Sequence, residues 1–212
     1  MSRERWPALV LALLLAGCAG PTPVPEDRFY QLQIDPPVQA LPRPALEAGL
    51  EVEPVSADPL RSGRAVVYRS TARPLELHRY HYRFWADQPP RMVGQLLVAY
   101  LRDSGVARSV SDGRHGNATA YRLRSRLLHF EQLTGAEGNA VDVALEASLF
   151  TSRPERLVWT HRYRRRVNAA GTDMHAVAAA MEVALKGIFE AVVEDLENSP
   201  GATVAGVASP RS

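Results

Sequence analysis

One cysteine stands in these 212 residues, Cys18, and it closes a short apolar run near the N-terminus. That placement limits what the chain can become. With no second thiol, neither an intramolecular disulfide, nor a thiolate metal cage, nor a redox pair can be built. Arg3 and Arg5 precede Trp6–Leu15, a stretch that is apolar and interrupted only by Pro7. Ten residues fall short of the about 20 that cross a hydrocarbon core of about 30 Å, so the stretch reads as an export signal and not as a permanent span. Residues 1–17 are expected to be removed.

The sequence Leu15-Ala16-Gly17-Cys18 resembles the lipobox of bacterial lipoproteins. Small side chains at Ala16 and Gly17 let the backbone enter a peptidase cleft. Cleavage between Gly17 and Cys18 then leaves the Cys18 thiol free to carry a thioether-linked diacylglycerol. The resemblance implies a further N-acyl chain of the palmitate class on the same residue, and no other cofactor. Each buried CH₂ contributes about 0.8 kcal/mol, so one chain binds marginally while several anchor stably. Ala19 stands where an aspartate favours the inner membrane in such proteins, which points to the outer membrane.

Charge excludes one class of partner. The whole chain holds 25 basic and 23 acidic residues; losing Arg3, Arg5 and Glu4 with the signal leaves 23 against 22. A mature charge near +1 gives no electrostatic reason to expect nucleic acid.

Residues 18–26 hold three prolines and nothing apolar enough to pack, so they read as a tether, and 27–198 as one domain. Residues 199–212 are small and polar and read as a disordered tail. Within the domain, strands are expected at Phe29–Ile34, Leu50–Glu53, Val66–Tyr68, Leu75–Leu77, Tyr121–Phe130, Val141–Leu149 and Leu157–Tyr163. The phase of Tyr121–Phe130 slips at Leu127-Leu128, which predicts a bulge. A helix starts after Asp87, a candidate cap, runs through Val93, Leu97 and Leu101, and stops at Ser104-Gly105. A second helix is capped by Thr172 or Asp173 and carries the stripe Val177, Met181, Leu185, Ile188, Val192, Leu196. The order of elements predicts an α+β fold, a mainly antiparallel sheet with two long helices packed on one face.

Val66-Val67-Tyr68-Arg69, Tyr80-His81-Tyr82, Trp85-Ala86-Asp87, Pro89 and the helix through Leu101 together resemble one family. So do Phe29-Tyr30-Gln31-Leu32, Tyr121-Arg122-Leu123, His129-Phe130-Glu131 and the closing helix. These are the ABC-type transport auxiliary lipoproteins, the paraquat-inducible-lipoprotein-like group. The chain departs from the pattern at Pro59–Gly63 and at Arg73-Pro74-Leu75. The resemblance implies a non-enzymatic part of a lipid transport machine on the periplasmic face of the outer membrane. It would work with an ABC ATPase, a permease and an MCE-domain periplasmic protein, and a homo-oligomeric ring is compatible with it. Tyr68, Tyr80, Tyr82, Phe84 and Trp85 are then the expected partner or lipid surface, since aromatic residues dominate interfaces. Core packing plus one strand edge is the competing reading of the same five residues.

Other chemistry finds little support. His78 and His81 are expected on opposite faces of a strand, and His115, His129, His161 and His175 are scattered without paired carboxylates, so no metal site is expected. No G-x-S-x-G, H-E-x-x-H or phosphate-cradling glycine loop occurs. Arg162, Arg164, Arg165 and Arg166 read as a solvated strand end partly paired with acids such as Glu146, with contact to anionic headgroups as the alternative. A structural or assembly lipoprotein of another envelope machine, such as a secretion complex, is the second functional reading.

Overall fold

The computed structural model describes residues 25–113 and 119–199. The signal segment, Gly17, Cys18, the tether as far as residue 24, His115 and the tail from residue 200 lie outside the described residues. Ser199, expected at the head of that tail, is buried: its hydroxyl accepts from Trp159 Nε1 at 2.6 Å.

Three long strands form the body of the sheet: β7 (Tyr121–Gly135), β8 (Gly138–Ser152) and β9 (Glu155–Asn168), joined as an antiparallel meander. Gly138, at φ 109°, makes the first turn, in a region that side chains rarely enter. The expected bulge is present. Leu127 pairs with Leu145 but His129 pairs with Ala144, so Leu128 is the extra residue. Its effect is on side-chain direction: Leu127 and Phe130 both face the core, and His129 and Glu131 are sent to the other side.

The other edge of β7 is filled by short strands in succession. β2 (Leu46–Val52), β3 (Ser56–Ala57) and β4 (Ala65–Ser70) all run parallel to β7. A four-residue helix, α1 (Pro59–Ser62), turns the chain between β3 and β4, and Asp58 caps it by accepting from the Leu60 and Arg61 amides. β5 (His78–Trp85) returns antiparallel on β4, and β1 (Arg28–Tyr30) lies parallel on β5. β6 (Ala107–Ser111) lies parallel on β2.

The expected mainly antiparallel sheet with two long helices is therefore incorrect. The sheet is mixed and nine-stranded, and five of its eight strand pairings are parallel. Alternation in sequence says which face a residue takes and carries nothing about strand direction, so parallel returns onto β7 left no trace in the pattern. Of the three helices among the described residues only one is long: α3 (Met174–Glu197) has 24 residues, while α2 (Pro89–Ser104) has 16. Two strand expectations also change. Residues 71–77 form a turn and its exit, with Leu75 exposed, and of the first segment only Phe29 and Tyr30 pair.

The helices follow their caps and stripes. Asp173 caps α3 by accepting from the Ala176 amide, and all six stripe residues are buried. Gln88, not Asp87, is the N-cap of α2, and Asp87 instead accepts from the Gln88 amide. Gly105, at φ 68°, closes α2 in the left-handed region. Helix α3 covers the core face of β8 and β9, where the Tyr163 hydroxyl donates to Asp195 at 2.5 Å. It meets α2 through Tyr100 and Phe189, whose ring centroids are 5.7 Å apart. No helix among the described residues is long and apolar enough to cross a membrane.

Phe189 is wholly buried where both helices meet the sheet. Replacing it by alanine is expected to cost about 3–5 kcal/mol. A urea unfolding curve with an unchanged midpoint would show that this contact does not hold the helices.

Candidate functional site

The five aromatic residues expected to form one surface are divided by the structure into three environments. Trp85 is core: it is 1% exposed and packs on Phe130 at 5.3 Å. Tyr68 and Tyr80 form a ladder on the β4–β5 ribbon, their centroids 4.5 Å apart. Phe84 lies at the far end of β5, stacked on Phe29 of β1 at 5.6 Å, and Tyr82 between them is 42% exposed.

A break in register explains the division. Tyr68 pairs with His78 and Val67 with Arg79, but Ala65 already pairs with Phe84, so β5 bulges widely across Tyr80–Arg83. His78 stacks on Tyr68 at 5.2 Å, and the Arg83 guanidinium carbon lies 4.5 Å over the Tyr80 ring. The Tyr80 hydroxyl donates to Gln132 Oε1 on β7 at 3.1 Å, which fixes the ladder to the sheet. Burial pushes the Tyr80 phenol above its ordinary value, against the pull of the Arg83 charge. Tyr68 and Tyr80 keep partly open faces on a ribbon that neither α2 nor α3 covers. A pair of rings held rigidly by a hydrogen bond and a cation–π contact is pre-ordered for binding.

Behind the ladder, on the side of the sheet turned away from α3, lies a buried charge network that sequence reasoning missed. Glu131 is fully buried. Arg61 grips its carboxylate with a two-pronged fork, Nε to Oε2 at 2.9 Å and Nη2 to Oε1 at 3.0 Å. Arg69 donates at 2.5 Å, the Phe130 amide at 3.0 Å, and His129 Nδ1 lies 3.0 Å away. Arg61 reaches Asp58 with its remaining nitrogen at 2.7 Å. Directly across the strands, Asp142 pairs in register with Glu131 and is gripped by Arg164 and Arg166. Burial alone would raise both carboxyls. Hydrogen bonds from His129, the Phe130 amide and Arg61 outweigh it at Glu131, as Arg164 and Arg166 do at Asp142, so both lie below the ordinary carboxylate range.

His129, Glu131 and Asp142 thus gather, with ligand atoms within 4.8 Å of one another, where the sequence suggested scattered histidines. Four guanidiniums already neutralise the two carboxylates, so the group is built for ion pairing and offers a cation little. The arginine run is also divided. Arg162 pairs with Glu146 at 2.8 Å as expected, Arg164 and Arg166 turn to Asp142, and Arg165 faces α3 beside Gly187. Nothing in the spacing of Arg61, Arg69, Glu131 and Asp142 links them. A carboxylate amid apolar neighbours, as in Val141-Asp142-Val143, was the only available signal, and it fits a solvated strand face equally well.

The mixed sheet thus displays an aromatic ribbon and consumes its buried carboxylates in ion pairs. A model of the family described as ABC-type transport auxiliary lipoprotein component matches residues 30–193, and the chain belongs to that family. It is similar to a Xanthomonas campestris protein of the DUF330 family at 25% identity, over 78% of this chain and 92% of that one, with a TM-score of 0.67. An uncharacterised protein at 16% identity (81% and 99% covered, TM-score 0.63) shares the fold. So does a hypothetical protein from Chlamydia trachomatis at 9% identity (72% and 96% covered, TM-score 0.52). No curated protein matches the chain.

Glu131→Gln leaves the buried Arg61 and the half-buried Arg69 short of a charge, and a loss of about 3–5 kcal/mol is expected. Since both carboxyls lie below their ordinary values of 4.5 and 3.8, the stability they confer is complete at neutral pH. It is lost as pH falls through those values toward the lower folded ones. The urea midpoint of the parent chain should drop steeply below about pH 5, and that of Glu131→Gln more gently. Parallel profiles would show that the network contributes nothing specific.

Proposed function

We propose that this chain is the membrane-anchored auxiliary component of an ABC/MCE-type lipid transport system, docking the periplasmic apparatus at the outer membrane. Family membership supplies the transport role. The lipobox-like Leu15-Ala16-Gly17-Cys18 supplies the anchor, a diacylglycerol and an N-acyl chain on Cys18. What carries the docking role is the Tyr68–Tyr80 ladder, two half-open rings locked by Gln132 and Arg83 on an uncovered ribbon. Rigid aromatic anchors of this kind concentrate binding energy while losing little side-chain freedom. The occupant we assign to it is the MCE-domain periplasmic protein, with the ABC permease and ATPase further along the same assembly.

Two measurements separate the parts of this reading. Cys18→Ser should move the protein from the membrane to the soluble fraction, and unchanged fractionation would remove the anchor. Affinity capture of the lipidated protein should recover an MCE-domain partner. The Tyr68→Ala, Tyr80→Ala double variant should weaken that capture by about 2 kcal/mol, roughly 30-fold in affinity. Recovery of secretion-complex components in place of an MCE-domain protein would favour an assembly role in another envelope machine.

A further inference from the structure

The third aromatic environment, where β1 meets the end of β5, has features that the docking ladder lacks. β1 is an edge strand, paired among the described residues only with β5. Its alternation is sharp: Tyr30 turns into the core, while Phe29 is 57% exposed. Phe29 and Phe84 are in register and stacked. Arg64 places its guanidinium carbon 5.1 Å over the Phe29 ring and is held there by its Nε, which donates to the Trp85 carbonyl at 3.2 Å. Arg28, exposed, precedes Phe29 on β1, while its register partner Arg83 is committed to the Tyr80 ring. A two-ring stack with Phe29 exposed and Phe84 half-buried is thus covered by Arg64, with Tyr82 exposed on the same strand as Phe84.

Position adds to chemistry. β1 is the first element after the tether, and nine residues lie between Cys18 and Arg28. Fully extended, the ten steps reach at most about 35 Å, and less in any bent state. A chain anchored at Cys18 therefore holds this edge within that distance of the bilayer. The other large exposed apolar residues described, Val38, Leu75, Leu157 and Val183, lie on separate segments.

We infer that the Phe29–Phe84 edge is a membrane-facing patch that seats on a phospholipid surface. Phe29 enters the interfacial region with Phe84 packed behind it, and Arg28 and Arg64 extend toward headgroup phosphates. Glu26 and Asp27, exposed just before β1, oppose an anionic surface, so the rings supply more of the contact than charge does. The patch orients the domain and leaves the Tyr68–Tyr80 ladder turned to the periplasm. This inference rests on the proposed anchor at Cys18.

The test uses the full-length lipidated protein in phosphatidylcholine–phosphatidylglycerol vesicles containing brominated lipid. Phe29→Trp places a fluorophore in the patch, and Leu75→Trp places one in the turn at the opposite end of β5, roughly 20 Å away along the strand. After subtraction of the parent emission, the Phe29→Trp signal should be blue-shifted and lose roughly twofold in intensity to bromine, with Leu75→Trp unaffected. Equal quenching of both probes, or of neither, while the lipidated protein still floats with the vesicles, overturns the patch and leaves the anchor intact. If the Cys18→Ala chain floats as well as the lipidated one, the anchor reading fails, whatever the probes report. A Phe29→Trp signal that shifts to the blue only when a protein partner is added, without quenching by lipid, assigns the edge to that partner and also overturns the proposal.

Discussion

A carboxylate with no access to water must be answered by positive charge from somewhere, and at Glu131 the answer comes from two separate elements. Arg61 is delivered by α1 and Arg69 by β4. Because the fork between Arg61 and Glu131 is planar and two-pronged, it fixes the orientation of α1 as well as its distance from β7. Fixing α1 sets where β4 begins its parallel run, and β4 carries β5 on its far edge. The ribbon that displays Tyr68 and Tyr80 therefore takes its place from an ion pair that is itself invisible from the surface. A buried ion pair is a poor source of net stability but a strict one of geometry, since either partner left alone is heavily penalised.

The bulge at Leu128 makes this arrangement available. Were the strand to run through Leu128 without bulging, Glu131 would share the face of Leu127 and point among the core side chains beneath α3. With it, the strand keeps Phe130 in the core against Trp85 and turns Glu131 to the side where the arginines lie. The second break in register, across Tyr80–Arg83, does for the surface what the first does for the interior. It releases a run of aromatic and basic residues from strict alternation and separates the ladder from the Phe84 end.

Both features bear on the role we propose for the chain. In that role one surface meets a partner and another stays near the membrane, and the two must not exchange. The sheet supplies the rigidity, since β7 is paired along both edges and α3 is seated on its neighbours. On β9, Arg162, Arg164 and Arg166 spend their charges on Glu146 and Asp142 of β8. Charge on these strands is thereby turned into cohesion, and the recognition we propose falls to aromatic side chains.

Much of this was legible in the sequence. The apolar run, the single cysteine and the small residues before it are local features, and local features survive without a fold. Alternation located β7, β8 and β9 and even the slip at Leu127-Leu128, and 3.6-residue periodicity located α2 and α3 with the Asp173 cap and the Gly105 stop. Which strands lie side by side, and in which direction, is another matter. Parallel pairing joins segments tens of residues apart by backbone hydrogen bonds that any side chain permits, so β2, β3 and β4 could not be assigned to β7 from their residues. The same holds for the meeting of Arg61, Arg69, Glu131 and Asp142, and for the parting of Trp85 from Tyr68 and Phe84. The sequence by itself determined the periodicities, the Asp173 cap and the Gly105 stop, because each depends on neighbours along the chain. Only the tertiary structure decided which charges meet and which rings face outward, because those depend on neighbours in space.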